Sequence, residues 1–92
     1  MTLTVYSIGG APRGWRVLLA LEFKHLSYDP HYLEGSKGEH QAAEFRLLNP
    51  HGKVPVIVSE GIARRESLAL LGWLDRKFPE QPLYKVFYRI EP

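Results

Sequence analysis

The chain has 92 residues, which suffice for one domain and are too few for two separate hydrophobic cores. It is 45% hydrophobic and 24% charged, as in ordinary soluble proteins, and its net charge of +2 is spread along the chain, which excludes the basic stripe of a nucleic-acid-binding protein. The absence of cysteine excludes disulfides, a thiol nucleophile and a zinc–thiolate site, and we expect a protein that binds no metal. The sequence shows neither a signal peptide nor an apolar run of membrane-spanning length, so we expect a cytoplasmic protein that binds no membrane.

The first elements are predicted to be a strand and a helix. Residues 2–7 alternate β-branched and aromatic side chains, which is typical of a strand. Pro12 suits the first turn of a helix, where its missing N–H costs nothing. Apolar side chains at helical spacing predict that this helix covers residues 15–24. Its polar side chains are expected to face water: Arg16, Glu22 and Lys24.

A second strand and a second helix follow. Residues 26–33 predict a strand, and Pro30 within it indicates the edge of a sheet, because proline lacks the N–H that a central strand donates. Residues 34–38 form a polar loop. Residues 39–48 predict a modest helix with an apolar side at Ala42, Phe45 and Leu48.

The next segment joins turn residues to a β-branched run. Residues 54–58 predict a third strand, which Pro55 interrupts at its start. Val54 and Pro55 therefore mark a sharp entry into the strand, with the backbone of Val54 facing outward and free to pair. A turn at residues 59–61 leads to a short fourth strand at residues 62–64.

The strongest helix prediction covers residues 67–78. Ser67 is a good N-cap, and Pro79 stops the helix. Its apolar face is expected to comprise Leu68, Leu71 and Leu74, flanked by Leu70 and Trp73. Residues 81–92 alternate in character and are interpreted as an extra strand or a tail.

The element order βαβαββα predicts the fold class. A strand–helix–strand start implies a right-handed crossover and a parallel pair, and the short last turn makes the third and fourth strands antiparallel. The natural solution is an α/β domain with a mixed four-stranded sheet and helices on both faces.

Three segments carry a resemblance to a known family: VYSIGGAPRGWRVLLALEFK, KGEHQAAEFRLLNPHGKVPVIV and RRESLALLGWLDRKFPEQPLY. In order and spacing they resemble the N-terminal, thioredoxin-like domain of the glutathione S-transferases, over residues 1–84, with residues 85–92 as a tail or the start of an interdomain linker. The resemblance implies a domain that binds glutathione and positions its thiol for attack on a small electrophile.

The resemblance also implies a set of glutathione-binding residues. Val54 and Pro55 match the residue and cis-proline that pair with the cysteinyl part of glutathione, like an added strand. Glu66 and Ser67 match the acidic residue and serine that hold the γ-glutamyl end at a helix start. The glycyl carboxylate is expected at two further residues, Lys53 and His40. Taken singly, these residues have ordinary alternatives: an N-cap, an edge-strand proline, a surface charge and an exposed helical histidine.

The activating residue of the family is missing. In the serine and cysteine classes it stands at the start of the first helix, often before a proline, and Ala11 occupies that place. Three substitutes are available for a catalytic role: the helix N-terminus, whose partial positive charge favours a thiolate, Arg13 as a nearby cation, and Ser7. Tyr6 also carries a hydroxyl, but an aromatic residue that alternates in a strand is more often part of the core.

Two functions remain open. The first is a glutathione transferase-type enzyme with weak activity, and the alternative is a non-catalytic module that binds glutathione or a protein partner. A thiol–disulfide oxidoreductase is rejected because that chemistry needs a protein thiolate. The family's helical C-terminal domain has no counterpart in the sequence, so the surface at residues 68–73 is expected to be partly exposed and could support a homodimer.

Overall fold

The computed structural model describes residues 2–83 and confirms the predicted element order. Two short 3-10 turns, Gly35–Lys37 and Glu39–Gln41, precede the second helix. The strands and helices are β1 (Leu3–Ile8), α1 (Pro12–Phe23), β2 (Asp29–Leu33), α2 (Ala43–Leu48), β3 (Val56–Ser59), β4 (Ile62–Arg65) and α3 (Ser67–Lys77). The tail prediction for residues 85–92 lies outside the described residues.

The four strands form one mixed sheet in the order β2-β1-β3-β4. Strand β1 pairs in parallel with β2, where Val5 stands opposite Pro30, and antiparallel with β3, where Val5 stands opposite Ile57. Strands β3 and β4 are antiparallel. The edge position of β2, predicted from its proline, is therefore confirmed.

Helices cover both faces of the sheet, as predicted. Helices α1 and α3 pack on one face, and the main core lies between them and the sheet, with Val17, Ile57 and Leu74 fully buried. Helix α2 lies on the other face, where the ring of Phe45 is 5.8 Å from the ring of Tyr6. Within residues 2–83, no helix is long and apolar enough to cross a membrane.

Several predicted boundaries were wrong by a few residues. Strand β2 begins at Asp29 rather than residue 26, because only from Asp29 onward does it pair with β1. Helix α2 begins at Ala43, and its predicted first turn is a separate 3-10 turn that ends at the extended residue Ala42. Strand β3 begins at Val56, which leaves Val54 and Pro55 before the paired segment.

The predicted exposure of Lys24 was wrong. Its side chain is 1% exposed and pairs with Asp75 of α3, with 2.9 Å between Nζ and Oδ1. The ammonium also donates to the carbonyl oxygens of Phe78 and Gln81, at 2.6 and 2.8 Å. These acceptors at the end of α3 replace water, so Lys24 fastens the end of α1 to the end of α3.

The apolar face of α3 is also rotated from the prediction. Leu70, Leu71 and Leu74 are buried, whereas Leu68 is 62% exposed. The reason is the direction in which α3 packs on the sheet, which the helical period alone does not fix. The predicted partial exposure within residues 68–73 is confirmed at Leu68.

Candidate functional site

The turn before β3 is organised by the side chain of Asn49. This buried side chain accepts a hydrogen bond from the N–H of His51 at 3.1 Å and donates one to the carbonyl of Lys53 at 2.9 Å. The N–H of Gly52 adds a backbone bond to the carbonyl of Asn49 at 2.9 Å. An asparagine that bonds to its own turn in this way fixes the chain locally. The backbone of Lys53 is thereby held in one place.

Gly52 has a local reason to be glycine. Its φ is +64°, and a Cβ on it would lie 2.9 Å from the carbonyl oxygen of His40. The side chain of Gln41 donates to the carbonyl of Gly52 at 3.2 Å. The turn therefore rests against the segment that carries His40, whose Nδ1 is buried without a partner among the described residues.

Val54 and Pro55 follow that turn. The ladder between β1 and β3 ends at the pair of Tyr6 and Val56, and the ladder between β3 and β4 ends at the pair of Val56 and Arg65. The Val54–Pro55 peptide bond is cis, Pro55 is buried and Val54 is half-buried. The backbone of Val54 thus lies beyond both ladders.

The connection from β4 to α3 places Glu66 and Ser67 at a helix start. Glu66 is exposed and is the N-cap residue, with φ +73° and ψ 111°, and Ser67 is the first residue of the helix. The N-cap prediction for Ser67 was therefore wrong by one position. A positive φ at a residue that is not glycine is strained, and such strain is found most often at functional sites.

The N-terminus of α3 has room for an external acceptor. The first intrahelical bond joins the N–H of Leu70 to the carbonyl of Glu66, at 2.8 Å. Glu66 makes no side-chain cap with the described residues. The N–H groups of the first turn consequently point out of the helix without an intrahelical acceptor. Together with the helix dipole, they favour an anion at this end.

These segments meet in two adjoining depressions, which we call the cleft. One is lined by Arg13, Asn49, Lys53, Val54, Pro55, Glu66 and Ser67. The other has a volume of about 270 Å³ and is lined by Arg13, Arg16, Glu66, Ser67 and Leu68. Three cationic side chains and one carboxylate therefore surround the cleft, a charge pattern that suits a small ligand with more than one anionic group and one ammonium.

The structure brings six predicted site residues together. They all line the cleft: Arg13, Lys53, Val54, Pro55, Glu66 and Ser67. His40 does not line it, although its segment supports the turn at Gly52. Ala11, the N-cap of α1, presents only a methyl group, and it makes no side-chain cap.

Ser7 lies elsewhere. It is 1% exposed on the core face of β1, and its Oγ lies against Gly14 of helix α1, without a hydrogen-bond partner among the described residues. The side chain therefore points under α1 rather than into the cleft. Its catalytic role stays a prediction, and one that this position does not favour.

Two residues of the site were not predicted. Asn49 shapes the turn, and a signal for it was present, because asparagine before proline and glycine is typical of a side-chain-bonded turn. Arg16 lines the cleft beside Arg13, one helical turn away, and its Nη1 donates to Oγ of Ser67 at 3.3 Å. That contact joins two distant segments, so the helical spacing alone could not have indicated it. Among residues 2–83 we find no cluster of side chains suited to a metal ion.

Comparisons with known proteins identify the family of the chain. Residues 5–82 match the sequence model of a family described as glutathione S-transferase, N-terminal domain. Glutathione S-transferase 1 of Dianthus caryophyllus is 42% identical over 81 residues, which are 88% of this chain and 37% of that protein. The chain therefore spans little more than a third of the length of this relative.

Solved structures give the same result. A glutathione S-transferase from the Antarctic clam Laternula elliptica superposes with a TM-score of 0.86 and 37% identity, over 90% of this chain and 38% of its own. A glutathione transferase from Phanerochaete chrysosporium, solved in complex with oxidized glutathione, superposes with a TM-score of 0.81 and 33% identity, over 85% of this chain and 37% of its own.

Proposed function

Because the chain belongs to the glutathione S-transferase family through its N-terminal domain, we propose that the cleft binds glutathione. The observation that carries this proposal is the convergence of Lys53, Val54 and Pro55 with the helix start at Glu66 and Ser67. Glutathione is a small extended peptide with two carboxylates and one ammonium. Each of these groups has a chemically matched partner at the cleft.

The γ-glutamyl end fits the start of α3. The exposed carboxylate of Glu66 suits the ammonium, and the hydroxyl of Ser67 suits the carboxylate. The first-turn N–H groups of α3 and the helix dipole add donors and positive potential for the same carboxylate. The α-amino-acid group of the ligand would therefore lie across the Glu66–Ser67 peptide.

The cysteinyl part fits the backbone at Val54. This residue lies beyond the ends of both ladders of β3, and its N–H and carbonyl would pair there with an extended peptide. The glycyl carboxylate would then lie toward the exposed ammonium of Lys53. His40 does not line the cleft, so it would support this end of the ligand only indirectly, through the turn at Gly52 against which its segment lies.

The proposed reaction is attack of the glutathione thiol on a small electrophile. For this, the thiol must be ionised near the N-terminus of α1. The helix dipole and the guanidinium of Arg13, which lines the cleft, both favour the thiolate. Ala11 supplies no hydroxyl, so we expect the activity of this chain to be weak.

A second candidate function is glutathione binding without catalysis. It is favoured by the methyl group at Ala11 together with the burial of the Ser7 hydroxyl, since neither residue brings a hydroxyl into the cleft. The loss of one stabilising donor typically costs about 10²–10³ in rate. Such a module would hold glutathione as a ligand or present it to a partner.

A titration with glutathione followed by amide NMR tests the binding. We expect shifts centred on Val54, Glu66 and Ser67. In Glu66→Gln the apparent Kd for glutathione should rise at least tenfold, because the ammonium loses a charge-assisted bond. Glu60→Gln is the matched control, an exposed glutamate in the turn between β3 and β4. The absence of shifts at millimolar glutathione would overturn the proposal.

Conjugation of 1-chloro-2,4-dinitrobenzene separates the two functions. The enzyme hypothesis predicts a slow but saturable rate that rises at least tenfold in Ala11→Ser, where a hydroxyl returns to the start of α1. A rate in the wild-type chain equal to the uncatalysed rate, with binding intact, would establish the non-catalytic alternative.

A further inference from the structure

A contact between helices α1 and α3 at the edge of the cleft links Arg16 to Ser67. Nη1 of Arg16 lies 3.3 Å from Oγ of Ser67, and both residues line the same depression as Arg13 and Glu66. Ser67 is 7% exposed, whereas Arg16 is exposed. The hydroxyl therefore has few directions in which to find a partner, and the guanidinium occupies one of them.

The chemistry of the two groups fixes the direction of the hydrogen bond. A guanidinium has only donors and does not deprotonate in proteins, whereas a hydroxyl has one donor and two acceptor positions. Once Oγ of Ser67 accepts from Arg16, its own O–H must turn toward another acceptor. The contact with Arg16 therefore favours the conformers in which the O–H of Ser67 points away from the guanidinium and can donate to an acceptor in the cleft.

We propose that Arg16 is a positioning residue of the cleft, which orients the Ser67 hydroxyl to donate to the α-carboxylate of the γ-glutamyl group. The inference rests on the proposed glutathione site and assigns a role to a residue that does not itself need to touch the ligand. It also explains how two adjacent residues distinguish the carboxylate of the γ-glutamyl group from its ammonium. Ser67 takes the carboxylate, and Glu66 takes the ammonium.

Calorimetric titration of the full 92-residue chain with glutathione tests this role. Arg16→Met keeps an unbranched stem and removes the guanidinium donor, and we expect its Kd to rise about tenfold, in line with the loss of an oriented bond to a charged group. Arg16→Lys restores a donor and is expected to return the Kd to within about threefold of the wild-type value. Arg76→Met, an exposed arginine of α3 outside the cleft, controls for the loss of one positive charge.

A double-mutant cycle provides a readout that a purely structural role would not move. In a Ser67→Ala background, Arg16→Met is expected to change the Kd less than twofold, because the hydroxyl it orients is gone. The second probe is 4-aminobutanoyl-cysteinylglycine, which lacks the α-carboxylate. Arg16→Met is expected to leave its Kd unchanged within twofold.

The outcomes separate this inference from the proposal on which it rests. No binding of glutathione to the wild-type chain would overturn both. Binding to the wild-type chain with an unchanged Kd in Arg16→Met would overturn the positioning role alone. An equal rise in Kd for glutathione and for the analogue, or equal effects with and without Ser67, would also overturn it, because either result would indicate general electrostatics.

Discussion

At the scale of single residues, Gly14 lets helix α1 approach strand β1, and the contact can be tested directly. A Cβ at Gly14 would clash with Oγ of Ser7 and lie 3.3 Å from Cβ of Ser7. We expect Gly14→Ala to lower the free energy of unfolding by about 1–3 kcal/mol, which is typical of overpacking. The measurement is urea denaturation followed by circular dichroism.

The partner variant Ser7→Ala completes that test. It removes a buried hydroxyl that has no partner among the described residues, so alone it should change the free energy of unfolding by less than about 1 kcal/mol. In combination with Gly14→Ala it should recover at least half of the loss. If Gly14→Ala lowers the free energy of unfolding equally in the wild-type and Ser7→Ala backgrounds, Oγ of Ser7 is not the source of the clash. Unchanged conjugation activity in Ser7→Ala would also end the catalytic hypothesis for this residue.

Glu66 combines backbone strain with a proposed binding role, and the two can be separated. Its φ of +73° is accommodated far better by glycine, so Glu66→Gly should raise the free energy of unfolding by about 1 kcal/mol. The same change removes the carboxylate, so the Kd for glutathione should rise at least tenfold. Thermal unfolding and calorimetric titration measure the two effects.

Glu60 provides the control for that prediction. It also has a positive φ, of 54°, and it lies in the turn between β3 and β4, away from the cleft. Glu60→Gly should therefore relieve strain without affecting the Kd for glutathione. If Glu66→Gly lowers the stability while Glu60→Gly raises it, the strain at Glu66 is not the dominant effect.

The site residues that could be predicted from the sequence are those whose role is local or carried by a family pattern. Val54, Pro55, Glu66 and Ser67 are of this kind, and they line one cleft as expected. Arg16 and the contact between Ser7 and Gly14 were missed. Both depend on how α1 packs against other elements, and the helical spacing of its apolar residues does not determine that orientation.

At the scale of elements, the ends of α1 and α3 are joined by the buried ammonium of Lys24. Lys24→Met would leave Asp75 without this partner and would remove two hydrogen bonds to carbonyl groups. Breaking a buried pair on one side typically costs about 3–5 kcal/mol, so we expect the free energy of unfolding to fall by about 3 kcal/mol. Chemical denaturation monitored by tryptophan fluorescence measures this decrease in the free energy of unfolding.

An exposed lysine of the same helix pair serves as the comparison. Lys77 lies 3.7 Å from Glu60 with a side chain that is 44% exposed, so Lys77→Met should cost less than about 1 kcal/mol. Similar losses in the two variants would mean that Lys24 behaves as a surface charge, contrary to its 1% side-chain exposure.

The elements themselves were largely predictable, and their ends were less so. Alternation and helical spacing gave the correct order, and Pro30 gave the edge strand, because these signals are local. The start of β2 depends on where β1 offers a partner. The predicted helix at residues 39–48 begins late because Ala42 is extended, with ψ 151°, which no propensity of alanine indicates.

At the scale of the whole molecule, the cleft forms where three segments that are distant in the sequence meet. The turn held by Asn49, the strand exit at Val54 and the helix start at Glu66 come from separate parts of the sequence. The sheet order β2-β1-β3-β4 places β3 between β1 and β4, so the segments that precede β3 and follow β4 meet beside the N-terminus of α1. The candidate site thus depends on the topology as much as on the chemistry of the residues that line it.

The outer surface of α1 and α3 gives the last prediction. Trp15 and Leu19 of α1 are 58% and 57% exposed, and Leu68 of the adjacent helix α3 is 62% exposed. Exposed apolar side chains on adjoining elements favour association. We therefore expect the 92-residue chain to cover this surface with a second copy of itself.

Sedimentation velocity over a range of concentrations measures that association. The double variant Leu19→Gln and Leu68→Gln should shift the self-association midpoint at least tenfold toward higher concentration, because both changes replace apolar contact area with polar groups that remain hydrated. Leu47→Gln is the control, since this residue is 87% exposed on α2 at the opposite face of the sheet. If the wild-type chain is a monomer at all concentrations, the prediction is wrong. If Leu47→Gln shifts the midpoint as much as the double variant does, the interface is not specific to α1 and α3 and includes α2.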